Sequence, residues 1–163
     1  MGASSSKIEY PPLWRAGLWR KSLSEIRAQC AEAFPGSETR EPIMCSLEHV
    51  VGVLVSAGIK GDLWVDGSFV TLKMNPDDAD LLLCVQGHDA DNFDSHQQDI
   101  ADWFVDGDRN LKRWLHLHCF ALIRWPFGHC LHYDGEQEYA FYQKAWGRSR
   151  ANEPKGIAVL ELR

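Results

Sequence analysis

The stretch Trp64-Val65-Asp66-Gly67-Ser68-Phe69-Val70-Thr71-Leu72-Lys73-Met74-Asn75-Pro76-Asp77-Asp78-Ala79-Asp80-Leu81 decides how the chain is read. Asp62 to Asp66 has the character of a short strand. Ala79 to Val85 is a continuous apolar run, as expected of a strand covered on both faces. Asn75-Pro76 punctuates the loop between them. Nine residues separate Gly67-Ser68 from Asp78-Ala79-Asp80. Alternate residues of a strand share a face at about 6.5–7 Å, so Asp78 and Asp80 aim two carboxylates into one small volume. Two acids that close repel each other unless a cation lies between them. Mg²⁺ (or Mn²⁺) suits such a place, because it takes oxygen ligands from one or two carboxylates and from substrate phosphates. Gly67 lets backbone N–H groups approach a phosphate, and the Ser68 hydroxyl adds a further donor. The competing reading is a solvated acidic turn after Pro76.

Outward from this stretch the periodicity alternates between helix and strand. Ser22 or Ser24 can cap a helix to about Phe34, stopped by Pro35-Gly36. Ile43, Leu47, Val50, Val51 and Leu54 recur at helical spacing in a helix expected from Pro42 to Ser56. Ser95–Val105 and Glu136–Trp146 read as further helices, Trp114–Trp125 and Gly156–Leu162 as further strands. Residues 1–21, with Tyr10-Pro11-Pro12, read as an extended N-terminal arm on a single domain spanning 1–163. The expected class is α+β, a mixed sheet of about four strands flanked by helices.

Composition narrows the function classes. The chain has 163 residues, enough for one core, with 45% hydrophobic and 25% charged residues and a net charge of −6. That acidic balance argues against a broad basic surface for nucleic acid. Five cysteines, Cys30, Cys45, Cys84, Cys119 and Cys130, without a Cys-x-x-Cys pair or an apolar leader, are expected as free thiols in a reducing cytoplasm. No apolar run is long enough for a membrane span. Met1-Gly2-Ala3-Ser4-Ser5-Ser6 matches the formal myristoylation pattern, against the simpler reading of a Ser-rich start.

The apolar strand, Gly67-Ser68, the nine-residue gap and Asp78-x-Asp80 together resemble the signature of the nucleotidyltransferase superfamily, which includes minimal nucleotidyltransferases, polymerase beta and the AbiE-type toxins. The chain is most similar to a prokaryotic branch with a Gly-Ser-Phe-Val-Thr-x-Lys-x-x-Pro-x-Asp-x-Asp core, here Gly67 to Asp80, and a C-terminal basic segment, here Trp146-Gly147-Arg148-Ser149-Arg150 and Lys155-Gly156-Ile157. The resemblance implies a nucleotidyltransferase-like fold and a nucleoside triphosphate (NTP) as ligand. It implies Asp78 and Asp80 as catalytic and metal residues. Gly67, Ser68, Lys73, Arg148, Arg150 and Lys155 are the implied nucleotide-binding residues. The acceptor would be protein or RNA, and the setting a toxin–antitoxin or antiviral (phage-defence) module with a partner protein. The alternative is a catalytically degenerate module that binds a nucleotide or a partner, with the Tyr10–Trp19 arm as docking element.

One position departs from the superfamily pattern. A third carboxylate is expected beside the Asp-x-Asp pair on a later strand, here Leu115 to Phe120, and His118 stands there. Imidazole is a poor Mg²⁺ ligand. Glu161 is a more distant substitute, or simply a solvated strand residue. His116, His118, Cys119, His129, Cys130 and His132 crowd together and invite a zinc reading, although no standard zinc spacing fits.

Overall fold

The computed structural model describes residues 8–106 and 111–163. The Met1–Ser6 pattern lies outside the described residues. Five strands form one mixed sheet: β1 (Gly17–Arg20), β2 (Gly61–Asp66), β3 (Ala79–Gln86), β4 (Leu117–Arg124) and β5 (Gly156–Leu162), in spatial order β1-β5-β2-β3-β4. β2 is antiparallel to β5 and β3, whereas the outer pairs β1–β5 and β3–β4 are parallel. The helices are α1 (Leu23–Arg27, continued by a π-helical stretch Ala28–Glu32), α2 (Arg40–Ser56), α3 (Gly87–Asp91), α4 (Ser95–Asp106) and α5 (His132–Trp146).

The α+β class and the mixed, helix-flanked sheet agree with expectation, but the strand count does not. The arm supplies β1, whose residues pair with Gly156–Val159. Four residues with a half-exposed pattern carry too little alternation to stand out from a Pro-rich leader. The arm's Tyr10–Trp19 segment is likewise built into the fold. Leu13 N–H donates to Val70, Leu72 N–H donates to Pro11, and the Trp14 indole donates to Gln29 Oε1 at 2.9 Å. β4 begins at Leu117 rather than Trp114, because Leu111–Leu115 forms a π-helical turn and His116 takes a positive φ of 55°. α5 starts a turn before Glu136, at His132.

Both faces of the sheet are covered, and this explains the unbroken apolar run of β3. Leu63, Val65, Leu81, Leu83 and Leu160 pack under Ile43, Leu47, Val50 and Leu54 of α2 and Phe104 of α4. On the other face Trp64, Leu82, Leu122 and Val159 meet Tyr139, Tyr142 and Trp146 of α5. Burying each of these large side chains is worth about 1.5–3 kcal/mol. Of the two cap candidates, Ser22 caps α1, through a reciprocal capping box with Glu25. All five cysteines are free thiols. No helix among the described residues is long and apolar enough to cross a membrane.

The topology gathers the polar residues at one end. β2 ends where β3, β4 and β5 begin. The loops 67–78 and 147–155 therefore open at the same edge of the sheet.

Candidate functional site

Those loops enclose a cleft of about 730 Å³. Gly67, Ser68, Lys73, Asp78, Asp80, Arg148, Arg150 and Lys155 all line it, so every expected nucleotide-binding and metal residue faces one space. Trp146 and the arm residues Ile8 to Pro12 complete the wall.

The floor is the end of the sheet. Asp80 is the second residue of β3 and lies in register with Asp66 on one side and His118 on the other. Asp80 Oδ1 is 3.2 Å from His118 Nδ1. Burial pushes the Asp80 carboxyl up, and neighbouring Asp78 adds to this, while His118 pulls it down. Asp78, just before β3, lies 3.5 Å from Lys112 Nζ.

Gly67 is required at its position. Its φ of 84° and ψ of −163° belong to a region that glycine alone occupies readily. A Cβ there would stand 2.6 Å from Asp80 Oδ2. Gly67→Ala is therefore expected to lower stability by about 1–3 kcal/mol and to displace Asp80. An unchanged urea midpoint would contradict this. Ser68 opens a 3-10 turn, and its carbonyl accepts from the Thr71 amide and hydroxyl.

The basic residues divide into two groups. Arg150 is exposed on the rim, and Arg148 is exposed beside it with Nη1 donating to the Asn152 carbonyl at 2.9 Å. Lys73 pairs with Asp77 at 2.7 Å. Lys155 corrects the picture of a loop clamp. It is buried, and its Nζ donates to Asp66 Oδ2 at 2.9 Å on the floor.

Asp66 is the site residue that sequence reasoning missed. It is 3% exposed, and Oδ1 receives no hydrogen bond from the described residues. Burial pushes its carboxyl up to about 6 against the opposing pull of Lys155. The signal was an acid at the end of an apolar strand, directly before Gly67-Ser68. By sequence it is only the last residue of the expected strand Asp62 to Asp66.

A second missed residue is Arg40, fully buried at the start of α2. Its guanidinium donates to the carbonyls of Cys30 (2.6 Å), Phe69 (2.7 Å), Thr71 and Lys73 (2.6 Å), and it lies 3.6 Å from the centroid of the Phe34 ring. Burial lowers its pKa to about 10, so it is cationic at neutral pH. It pins the loop that joins Gly67-Ser68 to Asp78.

The histidines do not converge. His118 lies near the start of β4, and His129 and His132 follow its far end, about 20 Å away for a strand of that length. His129 stacks on Trp125 with centroids 4.2 Å apart, and His132 Nδ1 is 2.8 Å from the Trp125 carbonyl. Glu161 lies towards the opposite end of β5 and pairs with Arg163. Among the described residues no group of three His, Cys, Asp or Glu side chains forms a ready metal cage. An ion in the cleft would rest on the carboxylates of Asp78 and Asp80 and draw its other ligands from water and phosphate, as Mg²⁺ commonly does. The donors facing the cleft are oxygens, which fit that ion.

No curated protein and no solved structure matches the chain. A protein-family model described as a family of unknown function (DUF6932) matches residues 9–161. That match spans nearly the whole sequence, and the chain belongs to this family.

Proposed function

We propose that the protein is a Mg²⁺-dependent nucleotidyltransferase that moves a nucleotidyl group from an NTP to a protein or RNA acceptor. The observation that carries this reading is the shared cleft, with carboxylates on its floor and guanidinium groups on its rim. A triphosphate with its divalent cation has the matching charge order.

In this reading the Gly67-Ser68 backbone and the Ser68 hydroxyl bind phosphate oxygens, a role that the bare Cα of Gly67 permits. Arg148 and Arg150 hold the outer phosphates by their fork of donors, with Lys73 beside them. Asp78 and Asp80 hold Mg²⁺, which when bound would supply charge neutralisation for the transferring phosphoryl group. The acceptor oxygen bonds to the α-phosphorus while the bond to pyrophosphate breaks, and the acceptor's proton leaves to solvent. Cleft shape and charge supply positioning, which accounts for much of such catalysis. A toxin–antitoxin or phage-defence module remains the proposed setting.

A second reading follows from His118. Its contact with Asp80 puts an imidazole where the resemblance expects an acid. That arrangement favours a module that binds a nucleotide, or a partner protein, without turning it over.

Incubating the protein with labelled nucleotides, Mg²⁺ or Mn²⁺ and cell extract separates the two. Label on a protein or RNA band supports the transferase. Saturable nucleotide binding with no label transfer supports the binding module. Absence of both label transfer and saturable nucleotide binding overturns the nucleotide role of the cleft.

A further inference from the structure

We propose that Asp66 is the third carboxylate of this cleft, contributing a ligand oxygen to the divalent cation from β2 in place of the acid expected on β4. The inference rests on the reading of the cleft given above and deepens it.

Three geometric facts lead to Asp66. First, Asp80 has one cross-strand neighbour on each side, His118 on β4 and Asp66 on β2, in a single row across three strands. Directly opposed residues in a sheet stand about 4.5–5.5 Å apart at Cβ, so the β2 position is as close to Asp80 as the β4 position is. Second, the Asp80 carboxylate spans that row. Its Oδ1 meets His118, and its Oδ2 lies where a Cβ on Gly67 would come within 2.6 Å. Oδ2 therefore leans towards the end of β2, where Asp66 sits. The missing Cβ at position 67 keeps the space beside Asp66 open to it.

Third, Asp66 is a buried acid whose two oxygens are unequally held, and the backbone N–H of Gly67 beside it offsets that burial only in part. Lys155 Nζ holds Oδ2 at 2.9 Å, while Oδ1 is buried and receives no hydrogen bond from the described residues. An unmatched buried carboxylate oxygen is costly, and it calls for a positive partner. Lys155 and the Gly67 N–H together do not offset the burial of this carboxylate, which leaves room for a further positive partner. With Lys155 fixing one oxygen, the other is oriented without freedom to turn away, as ligands in metal sites commonly are by an outer partner.

Charge points the same way. Asp66, Asp78 and Asp80 bring three carboxylates to the floor of the cleft, where Lys155 is engaged by Asp66 and Lys112 stands 3.5 Å from Asp78. A hard divalent cation with oxygen ligands suits that excess. The His118 imidazole then serves to orient Asp80 from the other side, rather than to ligate.

The test reads ion binding rather than turnover. Mn²⁺ is titrated into the full-length protein, with the free ion followed by its electron paramagnetic resonance signal. Asp66→Asn should weaken Mn²⁺ binding by about tenfold or more, the scale seen when a metal site loses a supporting group. His118→Gln should change it by less than about threefold, since imidazole is a poor ligand for such hard ions. An Asp66→Asn variant that is folded by circular dichroism and binds Mn²⁺ like wild type overturns the inference. In wild-type protein carrying ¹³C-labelled aspartate, Mg²⁺ should shift the Asp66 carboxylate carbon together with those of Asp78 and Asp80. This measurement needs no variant, and an unmoved Asp66 signal beside moving Asp78 and Asp80 signals overturns the inference alone. Absence of Mn²⁺ binding in the wild type, or equal binding by Asp78→Asn/Asp80→Asn, removes the underlying reading of the cleft as well.

Discussion

Replacing Asp78 and Asp80 together with asparagine is expected to abolish label transfer, by a factor of roughly 10³ or more, the upper range for removal of one pre-organised electrostatic partner. The two side chains occupy the start of β3, where its first strand residue, Ala79, is buried between them. Asparagine keeps their size and hydrogen-bonding shape but not their charge. The fold should therefore survive, because neither side chain contributes to either apolar cluster. Near-normal circular dichroism with lost transfer and lost Mn²⁺ binding is the expected pattern. Transfer that persists at wild-type rate would place the chemistry elsewhere. A single Asp78→Asn change separates the two positions. Asp78 precedes β3 and pairs loosely with Lys112, whereas Asp80 sits in the strand row against His118, so the single Asp78→Asn variant should retain measurable ion binding where Asp80→Asn does not. Isothermal titration with Mn²⁺ distinguishes these outcomes.

Arg40→Met is expected to cost about 3–5 kcal/mol of stability, the loss that follows when one side of a buried charged network is removed. The Arg40 guanidinium satisfies main-chain carbonyls from Cys30, Phe69, Thr71, Lys73 and Met74. Methionine fills much of the volume but leaves those acceptors without a donor, each at a penalty of about 1–3 kcal/mol before relaxation. Arg40→Lys should recover little, since one ammonium has three donors on a single atom and no planar fork. Urea denaturation measures both variants, and a loss below about 1 kcal/mol for Arg40→Met would contradict the assigned role. Because four of those carbonyls belong to the loop between Gly67-Ser68 and Asp78, the same variant should also weaken nucleotide binding. This effect reaches the cleft from a residue that does not line it.

Much of this architecture follows from local pattern. The helical spacing from Ile43 to Leu54 and the apolar runs of β3 and β5 each carry their own period, and the structure places those elements within a few residues of expectation. That Gly67-Ser68 and Asp78-x-Asp80 would face one space was legible because the two motifs lie at short spacing at the ends of adjacent strands. The basic residues Arg148 and Arg150 were legible as a segment, and their side of the cleft follows from the return of α5 into β5. β1 was hidden because an edge strand of four residues is stabilised by its partner β5 rather than by its own alternation. The start of β4 was misplaced because His116, at positive φ, ends a helical turn that apolar Trp114 and Leu115 had disguised as strand.

Sequence alone determined the α+β class, the succession of most helices and strands, and the two short motifs that face the cleft. Tertiary structure decided the rest of the floor. Asp66 and Lys155 are 89 residues apart, and they pair only because β2 and β5 are neighbours in the sheet. Asp80 meets His118 only through the β3–β4 register. Arg40 lies ahead of the helix expected from Pro42, and its role exists only because α2 starts at Arg40 and is laid against the 69–74 loop. Local periodicity fixes which residues share a face of one element, because it acts through neighbours along the chain. Which carboxylate is buried, and which cation stands beside it, depends on contacts between distant segments, and those exist only once the sheet has closed.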